Sequence, residues 1–163
     1  MAKSGNPPKK EARALRLFHT LRSTADQLES ASLSLLSKHG LTLSQFLVME
    51  ALAHKGPMNQ KSIGAQIGRS GGNITMVIRN LTKGGYVRNE RSGADGRQRK
   101  ISMTSEGYDL FMSVYPAFID IYVSLFAPLA GKDQKRLAKL CASIVPSDLA
   151  DEMDDDDDPS PEK

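Results

Sequence analysis

The stretch SGGNITMVIRNLTKGGYV, residues 70–87, decides how this chain folds. Its apolar residues recur at spacings of three and four, the period of a helix with one buried face; they are Ile74, Val77, Ile78 and Leu81. Ser70 is placed to cap this helix, and Gly84 and Gly85 to end it, because glycine accepts the left-handed conformation that follows a helix. Since the apolar face must be buried, the opposite face has to point outward.

That outward face is small and polar at its start and basic near its end. It comprises Ser70, Gly71, Gly72, Asn73, Thr75, Met76, Arg79 and Asn80, and Lys83 near the end of the helix can reach a phosphate. Small residues would let the amide hydrogens of the helix N-terminus approach a phosphate. The Asn73 amide suits adenine, the Thr75 methyl suits thymine, and Arg79 suits guanine or phosphate. An isolated helix with such a face is typical of any solvated surface, so its interpretation depends on the neighbouring elements.

Two short helices are predicted before it. Thr42 and Gln45 form a capping box for a helix that runs to about His54, and Asn59 caps a second helix over about 60–67. Their inward residues are predicted to be Phe46, Met49, Leu52, Ile63 and Ile67.

A basic hairpin is predicted after it, with strands Tyr86–Arg91 and Arg99–Thr104 around a loop at 92–98. Its basic residues are Arg88, Arg91, Arg97, Arg99 and Lys100. An arginine on a slim loop suits a narrow minor groove, where negative potential is concentrated. We interpret Asp95 as holding Arg97 extended; the alternative is a flexible hairpin without a fixed target.

Long helices flank this module. A narrow apolar stripe predicts one helix over about 11–38. Thr104 is placed to cap another, with the stripe Phe111, Val114, Phe118, Ile121 and Leu125, in which Pro116 should introduce a kink or a break. A last helix, Lys132–Val145, is predicted to bury Leu137, Leu140 or Cys141, and Ile144. The small module cannot cover all this apolar surface, so we expect a second chain to do so.

The predicted fold is therefore mainly α with a small β-hairpin wing, a winged helix-turn-helix with N- and C-terminal dimerisation helices. Its predicted parts are a disordered basic arm (1–10), a dimerisation helix (11–40), a DNA-binding lobe (41–105), C-terminal dimerisation helices (106–145) and a disordered acidic tail (146–163).

Charge is distributed unevenly along the chain, which has a net charge of +3. Residues 148–163 hold nine acidic residues and one basic residue, so the remainder has 21 basic against 10 acidic residues. Residues 41–105 alone have a net charge of +7, which favours a polyanionic partner. The acidic run Asp154–Asp158 is typical of a solvated tail; a sharper hypothesis is that it competes with DNA for the basic face.

Several classes of protein are disfavoured. No run of 18 apolar residues and no signal peptide is present, so we expect a cytoplasmic protein without a membrane span. The single cysteine, Cys141, is expected to be a small buried residue, with a redox role as the alternative. The histidines His19, His39 and His54 lack metal-ligand spacing. We expect no metal site, no cofactor and no catalytic residues.

Five motifs together resemble the MarR family of winged-helix regulators. They are Leu-Thr-x-x-Gln-Phe at 41–46, Ser-Gly-Gly-Asn-Ile-Thr at 70–75, Asn-Leu-x-Lys-x-Gly-Tyr-Val at 80–87, Asp-x-Arg at 95–97 and Met-Thr-x-x-Gly at 103–107. The resemblance implies a two-fold homodimer, with residues 70–79 contacting bases in the major groove and Arg97 entering the minor groove. Gly96 departs from the family's frequent Asp-Arg-Arg wing and leaves Arg97 to act alone.

The resemblance also implies a function: a sequence-specific regulator, by default a repressor, that releases double-stranded DNA when a small phenolic or aromatic effector binds between the dimer helices and the DNA-binding lobe. The DNA-binding residues are then Ser70, Gly71, Gly72, Asn73, Thr75, Met76, Arg79, Lys83, Arg91, Asp95, Arg97 and Arg99. The alternatives are a constitutive or architectural DNA-binding protein without an effector, and a helical module that binds an acidic protein.

Overall fold

The computed structural model describes residues 8–68, 71–92 and 98–144, and it confirms a mostly helical chain with a two-stranded wing. The elements in chain order are α1 (Lys9–Lys38), α2 (Leu43–Lys55), α3 (Gln60–Gln66), α4 (Gly71–Lys83), β1 (Val87–Ser92), β2 (Gln98–Met103), α5 (Ser105–Phe126) and α6 (Gly131–Ile144). α1 begins two residues before its predicted start, so Lys9 and Lys10 belong to the helix rather than to a disordered arm. The rest of the predicted arm and the acidic tail lie outside the described residues.

Three predicted caps fix where helices begin. The Thr42 hydroxyl accepts a hydrogen bond from the Gln45 amide at 3.2 Å, and the Gln45 side chain accepts one from the Thr42 amide at 2.8 Å. Asn59 accepts from the Ser62 amide at 2.8 Å, and Thr104 accepts from the Gly107 amide at 3.0 Å. Each cap satisfies an amide that has no partner within its own helix.

The wing hairpin is shifted by one residue from its predicted bounds. β1 and β2 are antiparallel, with Val87 opposite Met103 and Ser92 opposite Gln98. Tyr86 is left out because its amide donates to the Leu81 carbonyl at the end of α4. Ile101 also forms a two-way backbone bridge with Met58, at 2.7 and 3.1 Å. This bridge, which the sequence did not indicate, joins the wing to the turn between α2 and α3.

The core lies where α2, α4 and α5 meet. Phe46 is fully buried, and its ring centroid lies 5.4 Å from that of Phe111 and 4.2 Å from that of Phe118. The four apolar residues predicted for α4 are all buried in the same cluster, with exposures of 0–7%. Met49, Leu52 and Ile63 are buried as predicted, whereas Ile67 is partly buried.

α5 is a single helix that continues through Pro116, so of the two predicted effects, a kink or a break, the break does not occur. Proline removes the hydrogen bond to the carbonyl four residues earlier; here that residue is Met112, which is exposed like Pro116, so water can satisfy the carbonyl. The predicted stripe holds only in part, because Leu125 is 46% exposed. Tyr122 turns inward instead: its hydroxyl donates to the Leu28 carbonyl at 3.0 Å and lies 3.2 Å from Ser32 Oγ.

The prediction that the apolar residues of α6 are buried is wrong for the single chain. Leu137, Leu140 and Ile144 are 42%, 55% and 54% exposed, and Cys141 is exposed as well. The periodicity identified an apolar face correctly, but no element among the described residues covers it.

The prediction from the sequence that no segment could span a membrane was too strict. Among the described helices, only α5 is long and apolar enough to cross a membrane. The core helices of soluble proteins also pass this test of length and hydropathy. Phe111, Val114 and Phe118 of α5 are buried against the rest of the chain. We therefore interpret α5 as a core helix with a second apolar side that stays exposed.

Gly107 is required where α5 approaches the wing, and Gly107→Ala should lower the free energy of unfolding. A Cβ there would lie 2.0 Å from the Tyr86 carbonyl oxygen, which already accepts from the Thr104 amide at 3.0 Å and cannot easily move. We expect a loss of about 1–3 kcal/mol, the usual cost of overpacking, measured by urea unfolding at fixed protein concentration.

Gly131→Ala is the matched control, because a Cβ at this first residue of α6 meets nothing within 4 Å. It should leave stability unchanged or slightly raised, since alanine favours helices. Equal midpoints for the two variants would show that the contact between Gly107 and Tyr86 is not a constraint.

Candidate nucleic-acid interface

α4 presents the polar face that the sequence predicts. With Ile74, Val77, Ile78 and Leu81 buried, the side chains on the opposite side are exposed; these are Asn73, Thr75, Met76, Arg79, Asn80 and Lys83. They lie on one solvent-facing surface, which we call the α4 face. Gly71 and Gly72 form the first turn of the helix, and Ser70 lies outside the described residues.

Two residues of the α4 face contact each other. Arg79 Nη2 donates to Met76 Sδ at 2.9 Å, and the Met76 side chain is nevertheless 47% exposed. A thioether is a weak acceptor, so this contact orients the guanidinium without neutralising its charge. Arg79 therefore remains available to an anionic partner.

Thr75 is held by a residue that the sequence analysis missed. Gln60, the first residue of α3, donates a hydrogen bond from its side-chain amide to the Thr75 hydroxyl. The bond fixes α4 against α3 at the point where the outward face begins. No local pattern marks Gln60, because its role depends on how α3 and α4 cross.

The wing is less uniformly basic than the sequence suggested. Arg88 forms an ion pair with Glu90 on the same strand, and Glu90 lies opposite Lys100 in the hairpin. Both side chains of the pair are largely exposed, so the pair contributes little stability. Its effect is to reduce the free positive charge at the base of the wing.

Positive charge is concentrated nearer the wing tip. Arg91 and Arg99 occupy directly opposite positions in β1 and β2, and Arg99 is exposed. The exposed Arg99 side chain can therefore meet a polyanion close to the tip. Asp95 and Arg97, the predicted tip residues, lie outside the described residues.

A cleft of about 480 Å³ lies between α2 and the turn that follows α3. It is lined by Leu47, Glu50, Ala51, His54, Lys55, Gln66, Ile67 and Gly68. Lys55 donates to the Gln66 side chain at 2.8 Å across it. Burial raises the pKa of the Glu50 carboxyl, and the nearby His54 opposes that shift by favouring the charged form.

Metal binding has no support in the part of the chain that the structure describes. No three His, Cys, Asp or Glu side chains come together there as a metal site. His54 instead packs edge to face against Tyr115, with ring centroids 6.0 Å apart.

The comparisons with known proteins agree with this geometry. A family model described as MarR family matches residues 39–98, which span α2 to the start of β2. Among curated proteins, the uncharacterised HTH-type transcriptional regulator YkoM of Bacillus subtilis is 26% identical over 128 residues, covering 78% of this chain and 83% of YkoM.

Two solved structures have similar folds. CouR from Rhodococcus jostii, bound to p-coumaroyl-CoA, has a TM-score of 0.74 at 19% identity, covering 80% of this chain and 93% of CouR. An organohalide-sensing transcriptional regulator in its 2,4-dichlorophenol-bound form has a TM-score of 0.72 at 14% identity, covering 88% of this chain and 87% of the other. At these identities the likeness shows the shared fold.

Glu50 should make stability depend on pH in a defined direction. Well below its ordinary pKa of 4.5 the carboxyl is protonated in both the folded and the unfolded state, so the cost of burying its charge is absent there. As pH rises from 4.5 through the raised pKa, the folded state comes to hold a disfavoured charge and loses stability. Glu50→Gln should therefore be more stable than the wild type at neutral pH, by a margin that shrinks towards pH 4.5.

Urea unfolding from pH 4 to pH 8 measures this margin. Asp109→Asn, which removes an exposed carboxylate from α5, is the matched control and should follow the wild type. A Glu50→Gln margin that grows as pH falls would have the wrong sign and would reject the assignment.

Proposed function

We propose that this chain, of which residues 39–98 match the MarR family model, is a cytoplasmic repressor of that family that binds a pseudopalindromic operator as a homodimer and releases it when a small aromatic effector binds. The protein is a DNA-binding transcription regulator rather than an enzyme.

The orientation of the α4 face is the observation that carries the proposal. Its helix is anchored from the inside by four buried apolar residues, so amide, thioether and guanidinium groups project together into solvent. The dimensions of an α-helix fit the major groove, where each base pair presents a distinct pattern of donors and acceptors. We assign base contacts to Asn73, Thr75, Met76 and Arg79.

Phosphate and minor-groove contacts complete the interface that we propose. The amides of Gly71 and Gly72 at the start of α4 are suited to a phosphate, as is Lys83 at its end, and Ser70 stays a predicted contact. Arg91 and Arg99 would contact the backbone beside the minor groove, with Arg97 inserted into it and Asp95 orienting Arg97.

A second copy of the chain accounts for the apolar surface that the fold leaves open. Exposed apolar side chains lie on the first half of α1, the end of α5 and along α6; they are Leu15, Leu17, Phe18, Val123, Leu125, Leu137, Leu140 and Ile144. Scattered apolar residues are normal on a surface, but a set grouped on three helices marks an interaction site. Pairing these helices in a two-fold dimer would present two α4 faces on one side.

Selection of genomic fragments by the purified protein, followed by DNase footprinting, tests the proposed function. We expect a protected palindrome whose half-sites lie about one helical turn, roughly 34–36 Å, apart. Protection without sequence preference would favour the architectural alternative. No binding of duplex DNA at modest ionic strength would favour a module that binds an acidic protein.

Asn73→Ala should relax base preference at the selected operator. Loss of one base-edge contact per half-site is expected to cost on the order of 1–3 kcal/mol at the cognate site, with a smaller change on unrelated duplex. Fluorescence anisotropy on both duplexes measures the difference, and Asn89→Ala, an exposed asparagine on β1, is the matched control. Equal losses on the two duplexes would remove Asn73 from the base contacts.

Arg97→Ala should weaken binding chiefly where the operator has AT-rich flanks, because a narrow minor groove concentrates negative potential. Anisotropy with AT-rich and GC-rich flanks around the same operator measures this. An equal loss with both flanks would count against insertion into the minor groove.

The effector site that we propose is the cleft where α1 meets α2, the junction between the dimerisation helices and the DNA-binding lobe. It measures about 550 Å³ and is lined by Glu29, Leu33, Ser34, Ser37, Leu41, Thr42, Leu43 and Ser44. Leucine side chains supply an apolar wall for a ring, and the serine and threonine hydroxyls can hydrogen-bond a phenol. The dichlorophenol and coumaroyl ligands of the two similar folds support an aromatic effector.

2,4-Dichlorophenol is the first probe for this site, and it should lower the affinity of the wild type for the operator. Ser34→Phe places a ring in the cleft and should abolish the response. Ser30→Phe places the same ring one turn earlier on α1, outside the lining, and should respond like the wild type. A full response in Ser34→Phe would move the effector to another site.

A further inference from the structure

Met76 is unusual among the methionines of the described residues. Met49 is fully buried, Met58 and Met103 are partly buried, and only Met76 and Met112 are exposed, at 47% and 44%. Met76 lies near the middle of the α4 face, between Asn73 and Arg79, whereas Met112 lies on α5. Methionine is oxidised where an oxidant in solution can reach its sulfur. Among the described residues, Met76 and Met112 are therefore the methionines that such an oxidant reaches most readily.

We propose that Met76 is an oxidation site through which peroxide lowers the affinity of this protein for DNA. The inference rests on the proposed function only in taking the α4 face as the DNA-binding surface. It requires no thiol and no metal.

The reaction is a two-electron oxygen transfer. A sulfur lone pair of Met76 attacks one oxygen of hydrogen peroxide, an S–O bond forms and the O–O bond breaks. The departing hydroxide takes the proton of the transferred oxygen and leaves as water. The thioether is oxidised to a sulfoxide and the peroxide is reduced, so no further reactant is needed. Methionine sulfoxide reductases reverse the change.

The position of Arg79 gives this oxidation a consequence for binding. Its Nη2 already lies 2.9 Å from the sulfur, where the thioether is a weak acceptor. A sulfoxide oxygen at the same place is a strong acceptor, and hydrogen bonds from a charged donor are about twice as strong as neutral ones. The guanidinium would then be held on its own helix and withdrawn from the duplex.

Oxidation also changes Met76 itself. The flexible apolar side chain becomes polar and chiral, so it no longer suits an apolar contact with a thymine methyl. Bound DNA would cover the sulfur, so the oxidant acts on the free protein and prevents its return to the operator.

The test compares each protein before and after hydrogen peroxide, with intact mass and peptide mapping to count and locate the added oxygen atoms. Anisotropy with a duplex that the purified protein selects gives both affinities. We expect wild type to lose roughly tenfold or more in affinity, the size of one lost arginine contact. Methionine sulfoxide reductases A and B together should restore it.

Variants identify the responsible sulfur. Met76→Leu should show no loss relative to its own reduced form, whatever its starting affinity. Met112→Leu, which removes the other exposed sulfur, and Cys141→Ser, which removes the only thiol, should both respond like wild type. A response that persists in Met76→Leu, or that disappears in Cys141→Ser, would overturn the proposal.

The inference and the proposed function fail in different ways. Reduced protein that binds the duplex, together with Met76-oxidised protein that binds equally well, would overturn the inference and leave the function standing. Reduced protein that binds no duplex would overturn both.

Discussion

The burial of one side of α4 is the constraint on which the α4 face, the proposed DNA-binding surface, depends. Ile74 and Leu81 are at most 1% exposed and share a core with Phe46 of α2 and Val114 of α5. Each such side chain contributes about 1.5–3 kcal/mol when fully buried, whereas the polar contacts on the α4 face are exposed and weak. The angle between the two faces of a helix is fixed, so packing on the inside determines where the outside points.

The wing is joined to the end of α4 through a small set of backbone contacts. The Tyr86 amide donates to the Leu81 carbonyl, and the Thr104 hydroxyl donates to the Gly85 carbonyl while it caps α5. Gly107 allows the first turn of α5 to lie against Tyr86. These bonds make α4, the wing and the start of α5 one unit, so a displacement of α5 would be transmitted to both proposed DNA contacts.

The sequence predicts this fold well where local chemistry decides it. Caps such as Thr42 with Gln45 depend on residues three positions apart, and the face of α4 depends on spacings of three and four; both are visible in the chain. The Gln60–Thr75 bond and the Arg88–Glu90 pair depend on distances between elements or on rotamers, which no local pattern specifies. The apolar face of α6 was recognised, but a periodicity cannot say which chain covers it. The roles of Ser70, Asp95 and Arg97 remain predictions.

The buried residues are concentrated around α4, whereas the helices that we propose to form the dimer are mostly exposed. The core around α4 is closed within one chain, because Leu36 of α1 and Phe111, Val114 and Phe118 of α5 complete it. α6 has no buried residue, and α1 has two, Ser32 and Leu36, both in its last third. A partner would therefore set the separation of two lobes rather than the fold of either one. A ligand in the proposed α1–α2 effector cleft would lie between the lobe and the proposed dimerisation helices, where a small change of angle would alter that separation and leave each α4 face intact. Under the proposed function, release of DNA would then need no unfolding, only two lobes that no longer match the spacing of successive major grooves.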